Sequence, residues 1–192
     1  FRPEIVVHFA AQSLVRQSHR NPRRTFATNV MGTVNLLEAA RHCDDVGVAL
    51  IATTDKVYLN MESGRPFRED DRLGGLEPYS ASKAATEIVA ACWRARYLQG
   101  CNVALAVCRA GNVIGGGDWS KERLIPDIVR AAMAGQILDV RNPGAVRPWQ
   151  FVLDALYGYL LLVERYWHSR AAAADPDTDA WNFGPDPGDG HV

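Results

Sequence analysis

Val48-Ala-Leu-Ile-Ala-Thr-Thr-Asp-Lys56 is the stretch on which the reading of this chain turns. Its apolar first half has the length and composition of a strand buried on both faces. Thr54-Asp55-Lys56 then falls at the carboxyl end of that strand, the edge where open α/β sheets bind ligands. Further on stands Tyr79-Ser-Ala-Ser-Lys83. On a helix, positions i and i+4 share a face, so this phenol and ammonium project together. A free tyrosine has a pKa of ~10, and a neighbouring lysine cation lowers it towards that of a usable general base. A hydroxyl, an acid and an amine at one strand end, followed by a Tyr/Lys pair, point to redox and proton-transfer chemistry. Singly, each motif is weak. A YxxxK arises by chance on many helices, and an Asp-Lys pair after a strand is commonly a solvated loop pair worth under ~1 kcal/mol. Their order and placement carry the reading.

Outward from that centre, strand and helix alternate. Glu4–Phe9 is apolar and β-branched and reads as a strand, left by Ala10-Ala11-Gln12. Phe26, Val30, Val34, Leu37 and Ala40 recur at spacings of three and four, predicting a helix over Pro22–Cys43 with Asn21 as its N-cap. A strand over 47–53 leads to a loop rich in Gly, Pro and charge from Asn60 to Pro78. A helix over Tyr79–Leu98 ends at Gly100, and the strand Asn102–Arg109 opens on the glycine-rich Gly111–Asp118. A helix over Leu124–Ala134, an extended piece at Ile137–Val140, a helix over Gln150–His168, a loop at Ala171–Thr178 and a strand at Trp181–Phe183 complete the pattern. Such alternation predicts an α/β fold, a Rossmann-like doubly wound parallel sheet covered on both faces.

The glycine fingerprint of a first dinucleotide-binding βα turn is missing, and Gly115-Gly116-Gly117 has the wrong spacing and place to stand in for it. The opening in mid-strand predicts that the first βα units lie upstream of Phe1, and with them the site for a dinucleotide's pyrophosphate.

Composition narrows the function classes. The 192 residues are 47% hydrophobic, with 21 basic and 22 acidic side chains and a net charge of -1. That profile gives no support for nucleic-acid or membrane-surface binding. No apolar stretch approaches the ~20 residues of a membrane span. Cys43, Cys92, Cys101 and Cys108 show no metal-binding spacing and read as reduced cysteines of a cytoplasmic protein, buried more often than reactive. No metal site is expected.

Nine segments in order carry a resemblance: His8–Gln12, Phe26–Glu38, Thr54-Asp55-Lys56, Pro78–Lys83, Arg109–Trp119, Arg123–Asp127, Arg141-Asn-Pro143, Arg147–Gln150 and Trp181–Gly184. The chain resembles the extended short-chain dehydrogenase/reductases, and within them the nucleotide-sugar 4,6-dehydratases. Lys56 in place of a glutamate, the Gly-Gly-Gly-Asp-Trp stretch, and the Arg-Asn-Pro and Arg-Pro-Trp-Gln pieces are similar to the branch acting on CDP-glucose.

The resemblance implies an internal redox cycle on NAD and loss of water from a nucleotide sugar, with CDP-glucose favoured. Tyr79 would take the proton of the sugar's 4-hydroxyl, helped by Thr54, while Lys83 bridges the nicotinamide ribose and tunes the phenol. Lys56, if neutral, would accept the carbon 5 proton, and Asp55, if protonated, would donate to the departing 6-hydroxyl. Phe9, Ala10, Ala11, Gln12, Asn29 and Thr53 fall on the cofactor side, with Tyr79 and Lys83. Asn112, Arg123, Leu124 and Arg147 fall on the substrate side, where arginine forks suit diphosphate oxygens.

Blander readings stand beside these: close helix packing for the alanines, an ordinary helix position for Asn29, surface arginines, and structural or surface roles for His8 and His42. Trp119 and Trp149 read first as packing residues. The division expected is a partial NAD-binding domain over 1–110 and a nucleotide-sugar-binding portion over 111–192, with some segments returning to the first. Relatives dimerise through helices equivalent to 22–43 and 79–99, so a homodimer is implied. The rivals are a 4-epimerase, which keeps the YxxxK but needs no Asp55/Lys56 pair, and a non-catalytic dinucleotide-binding module, supported by the missing glycine turn.

Overall fold

Apolar strands flanked by amphipathic helices form, in the computed structural model, a four-stranded sheet ordered β1-β2-β3-β6, every neighbouring pair parallel. The structure describes residues 2–61, 64–140, 142–169 and 180–185; Arg141 and the loop expected at 171–178 lie outside these. The strands are β1 (Ile5–His8), β2 (Val48–Ala52), β3 (Ala104–Ala110) and β6 (Ala180–Phe183). Four residues of β2 are buried, as a central strand covered on both faces requires.

One face packs on α3 (Gly32–Arg41) and α4 (Pro78–Arg96), whose Leu37, Ala40 and Ala90 meet Ala49, Ile51, Leu105 and Val107. The other face packs on α6 (Val152–Ser169), whose Ala155, Tyr159, Leu162 and Val163 meet Val48, Leu50, Ala106 and Cys108. The sheet is therefore doubly wound, as expected.

The helix expected over 22–43 is a rod of α2 (Pro22–Phe26), a π-turn at Ala27–Met31, and α3. Asn21 caps it, its side chain accepting from the Arg24 amide at 3.1 Å, with Pro22 in the first turn. Helix α4 starts on a less usual cap. The Glu77 carboxylate accepts from the Tyr79 and Ser80 amides at 2.8 and 2.6 Å, which fixes the first turn and the Tyr79 it carries. It ends at Arg96, short of Gly100, whose φ of 84° belongs to the turn beyond.

Three features differ from the sequence reading. A short helix α1 (Val15–Arg20) follows β1. A second, two-stranded parallel sheet pairs β4 (Asn112–Ile114) with β5 (Trp149–Phe151), where a glycine-rich loop and the start of a helix were expected. Its strands are three residues each, too short for alternation to register. Ile137–Val140 belongs to no strand. Between β4 and β5 lies α5 (Leu124–Met133), beginning directly after Arg123 as expected.

Candidate active site

The parallel sheet brings the carboxyl ends of β1, β2 and β3 to one edge, and two adjoining cavities open there. The larger, about 890 Å³, runs between Thr54, Asp55, Lys56 and Tyr79 on one side and the 111–127, 138–140 and 142–149 segments on the other. The smaller, about 370 Å³, is lined by Phe9, Ala52, Thr53, Ala110, Ala155 and Tyr159, among others. Thr54 and Tyr79 line both. The larger volume lies within the range of ~300–1,000 Å³ usual for small-molecule sites.

At the junction Thr54 Oγ1 donates to Asp55 Oδ1 at 3.0 Å, and the Tyr79 phenol faces the Thr54 hydroxyl, which favours its charged form. Burial pushes the Asp55 carboxyl above its ordinary range, against the pull of Thr54, Lys56 and Arg147. That direction suits a proton donor. The turn Asp55–Val57 that carries the acid is capped by Thr54, which accepts from the Lys56 amide. Lys56 itself is exposed and lines the larger cleft.

The expected effect of Lys83 on Tyr79 is not what the structure shows. Burial pushes the phenol above its ordinary value; the Thr54 hydroxyl and Arg123 lower it, and Asp55 raises it. Lys83 turns instead to the sheet, donating to the Ala52 carbonyl at 2.9 Å, and burial brings its pKa down to about 8. The i, i+4 spacing places the two side chains on one helix face, but the lysine stem is long enough to find a backbone acceptor.

After β1 the chain is held in an extended course by Asn29. Its Oδ1 accepts from the Gln12 amide at 2.7 Å, and its Nδ2 donates to the Gln12 carbonyl and to Ser82 Oγ. Asn29 was expected on the cofactor side; it is buried, with its amide spent on these bonds. It shapes the 9–12 segment rather than presenting an open donor. The Gln12 side chain is likewise spent, donating to Thr25 Oγ1 and accepting from the Leu14 amide. Phe9, Ala10 and, in part, Ala11 remain open. Buried His8 bonds Thr33, and exposed His42 faces Glu38, as blander readings had it.

On the opposite wall, Asn112, Arg123, Leu124 and Arg147 all line the larger cleft. Arg123 donates to Asp118 Oδ2 at 2.8 Å and to Ser13 Oγ at 2.9 Å, tying this wall to the chain after β1. Ser13 carries no motif and escaped the sequence reading, and Asp118, quoted there only within the Gly-Gly-Gly-Asp-Trp stretch, was given no role; both became visible once the 111–127 segment folded back. Trp119, expected to pack, is exposed and lines the cleft, whereas Trp149 is half-buried there. Tyr159 of α6 was not singled out in the sequence; it belongs to the buried cluster of that helix and also lines the smaller cavity. Two of the four cysteines, Cys92 and Cys101, are exposed rather than buried. Among the described residues no His, Cys, Asp and Glu cluster could hold a metal ion.

Comparison with known proteins agrees with this geometry. A CDP-glucose 4,6-dehydratase of Salmonella typhimurium is 46% identical over 190 residues, 96% of this chain and 52% of that protein. The crystal structure of DesIV, a dTDP-glucose 4,6-dehydratase from Streptomyces venezuelae solved with NAD bound, superposes with a TM-score of 0.78 at 30% identity, covering 95% of this chain and 52% of that one. A UDP-galactose 4-epimerase structure superposes with a TM-score of 0.78 at 25% identity, covering 96% and 57%. The chain thus spans about half the length of the proteins it matches. The pattern of one family covers residues 1–173. By its sequence, its sheet and the placement of its Tyr/Lys helix, this chain belongs to the NAD dependent epimerase/dehydratase family.

Proposed function

We propose that this chain carries the catalytic part of a hydro-lyase that dehydrates a nucleotide-activated hexose, CDP-glucose in the first instance, to the 4-keto-6-deoxy sugar. The observation that carries the reading is the Thr54 hydroxyl bonded to Asp55 beside the Tyr79 phenol, set where the two cavities meet. The likeness to the Salmonella dehydratase supports the cytidine nucleotide.

The residues present fit the nicotinamide end of NAD. The smaller cavity is an apolar slot between Phe9, Ala110 and Ala155, open to Tyr79, and small side chains let a flat ring approach the strand ends. Phe9, Ala10, Ala11, Thr53, Tyr79 and Lys83 would hold it, with Gln12 and Asn29 fixing the course of the chain. When bound, NAD supplies reversible oxidation at the sugar. Tyr79, in its phenolate form, accepts the 4-hydroxyl proton, and Thr54 aligns that hydroxyl by a hydrogen bond to the sugar. Oxidation at carbon 4 acidifies the carbon 5 proton, which Lys56, in its neutral form, accepts from the cleft wall. Asp55, whose carboxyl burial pushes above its ordinary range, donates to the departing 6-hydroxyl when protonated. Asn112, Arg123 and Arg147 face this centre across the larger cleft and would bind the diphosphate, with Leu124 beneath the nucleotide.

In this reading residues 1–110 form the cofactor-side portion and 111–192 the substrate side, from which α6 and β6 return to the main sheet. Phe26, Met31 and Ile88, exposed on the α2–α4 layer, support a homodimer through those helices. No helix among the described residues is long and apolar enough to cross a membrane, and free cysteines accord with a cytoplasmic enzyme.

Incubating the complete gene product with CDP-glucose, and in parallel with dTDP- and GDP-glucose, tests the proposal through the ultraviolet absorbance of 4-keto sugars in alkali. Signal with CDP-glucose is expected. CDP-galactose without a keto sugar would install the epimerase reading instead, and neither product from any of the three would reject catalysis on these sugars.

A further inference from the structure

The turn bearing Asp55 and Lys56 is short, and its own contact with α4 is the packing of Val57 on Ala84, which has no directional bond. Both its flanks, however, run to one buried ion pair. Glu87 and Arg109 are each about 5% exposed, and Arg109 Nε donates to the two Glu87 carboxylate oxygens at 3.1 and 2.9 Å. On the upstream flank, Thr53 Oγ1 donates to Glu87 Oε1 at 2.6 Å. On the downstream flank, Arg109 Nη1 donates to the Tyr58 hydroxyl at 2.7 Å, and the guanidinium lies 4.8 Å over the Tyr58 ring. Tyr58 in turn donates to Asn182 Oδ1 at 2.6 Å and stacks on Phe67 at 4.6 Å.

Glu87 stands one helical turn beyond Lys83 and two beyond Tyr79, on the same stretch of α4. Lys83 adds a third tie through the Ala52 carbonyl. Neither Glu87 nor Arg109 lines either cavity.

We propose that Glu87 and Arg109 are positioning residues that staple the Thr54–Val57 turn at both ends to the helix carrying Tyr79 and Lys83. A buried ion pair contributes little net stability against a well-packed apolar pair, because desolvating both charges offsets their attraction. Its geometric demands are strict, since a charged pair held by several hydrogen bonds has few alternative arrangements. The pair therefore sets the distance between the base on α4 and the acid on the turn. The inference rests on the dehydratase reading for its catalytic consequence, and on the structure alone for the staple.

The test uses the complete gene product with Tyr58→Phe, which removes one hydroxyl and keeps the ring stacking. Hydrogen exchange at the Val57 and Tyr58 amides, bonded to the Thr54 and Asp55 carbonyls, is expected to quicken while β2 and β3 amides keep their rates. Under turnover with CDP-glucose, kcat is expected to fall about tenfold with KM held within about threefold, since a displacement near 1 Å can cost ~10²-fold. The fraction of enzyme-bound nicotinamide in its reduced form should rise, because elimination slows relative to oxidation. A lower folded fraction would not produce that signature. Glu87→Gln, which weakens the upstream flank, should give the same pattern, stronger.

Unchanged exchange at these amides in Tyr58→Phe overturns the staple whatever the substrate. Faster exchange with unchanged kcat and nicotinamide state overturns the positioning role. A wild-type protein inactive on every sugar offered would reject the dehydratase reading, and the exchange measurement would still decide the staple.

Discussion

Tyr79 and Asp55 differ in what holds them, and that difference predicts what each loses. Tyr79 lies in the capped first turn of α4, so Tyr79→Phe keeps the ring's packing and removes only the hydroxyl beside Thr54. Asp55→Asn keeps the shape of the turn and removes the proton donor. Each is expected to lower dehydration by about 10²–10⁴-fold, the usual worth of a positioned acid or base, with circular dichroism unchanged; activity within about tenfold of wild type for either would overturn the assignments. Lys83 makes a different prediction. Its ammonium stands at about 8 in the fold against 10.5 in the open chain, a cost of roughly 3 kcal/mol below pH 8. Lys83→Met removes that cost and forfeits the bond to Ala52, worth about 1 kcal/mol. The variant should be inactive yet more stable by about 2 kcal/mol at pH 7 in urea unfolding. Between pH 8 and 10.5 the unfolded chain holds the proton and the fold does not, so wild-type stability rises there and the advantage of the variant fades. The Tyr/Lys spacing was legible in the sequence. That Lys83 would bond a carbonyl rather than act on the phenol was not, because the partner comes from another element.

Helix α4 is the element on which the site hangs, and its start is set by a contact no local pattern announces. A Cβ at Gly75 would lie 2.2 Å from the Ala81 amide nitrogen and 2.4 Å from the Ser80 carbonyl carbon, both backbone. The loop before α4 therefore lies directly against the helix's first turn. Gly75→Ala is expected to cost about 1–3 kcal/mol by overpacking and to lower kcat, because relief of the clash moves the turn that carries Tyr79. Thermal unfolding and steady-state rates check both, and a variant matching wild type in each would show that the loop yields instead. The strand β2 and helices α3 and α5 were readable because their apolar residues recur with the right period. Strands β4 and β5 were not, since three residues per strand carry no periodicity, and their partner lies 35 or more residues away in the chain.

Across the molecule, the Glu87–Arg109 pair joins α4 to β3 and, through Tyr58 and Asn182, to β6. Glu87→Leu leaves a buried guanidinium without its carboxylate and Arg109→Met the reverse, so each should destabilise by roughly 3–5 kcal/mol. The double variant should lose much less than their sum, and a double-mutant cycle by urea unfolding measures the difference. Additive losses would mean that the two charges are satisfied separately. Nothing in the sequence pairs residue 87 with residue 109; each alone reads as an ordinary charged residue, and only the packing of α4 on the sheet brings them together. The sequence by itself determined the alternation of strand and helix, the parallel sheet, the Tyr/Lys face and the strand end bearing Thr54, Asp55 and Lys56, because periodicity, capping and strand-end chemistry are local. The tertiary structure alone decided which polar groups share protons across the cleft, that Asn29 is spent on Gln12, and that Trp119 lines a wall instead of a core. Those outcomes depend on distances between elements far apart in the chain, which burial and hydrogen-bond satisfaction fix only when the whole sheet has closed around them.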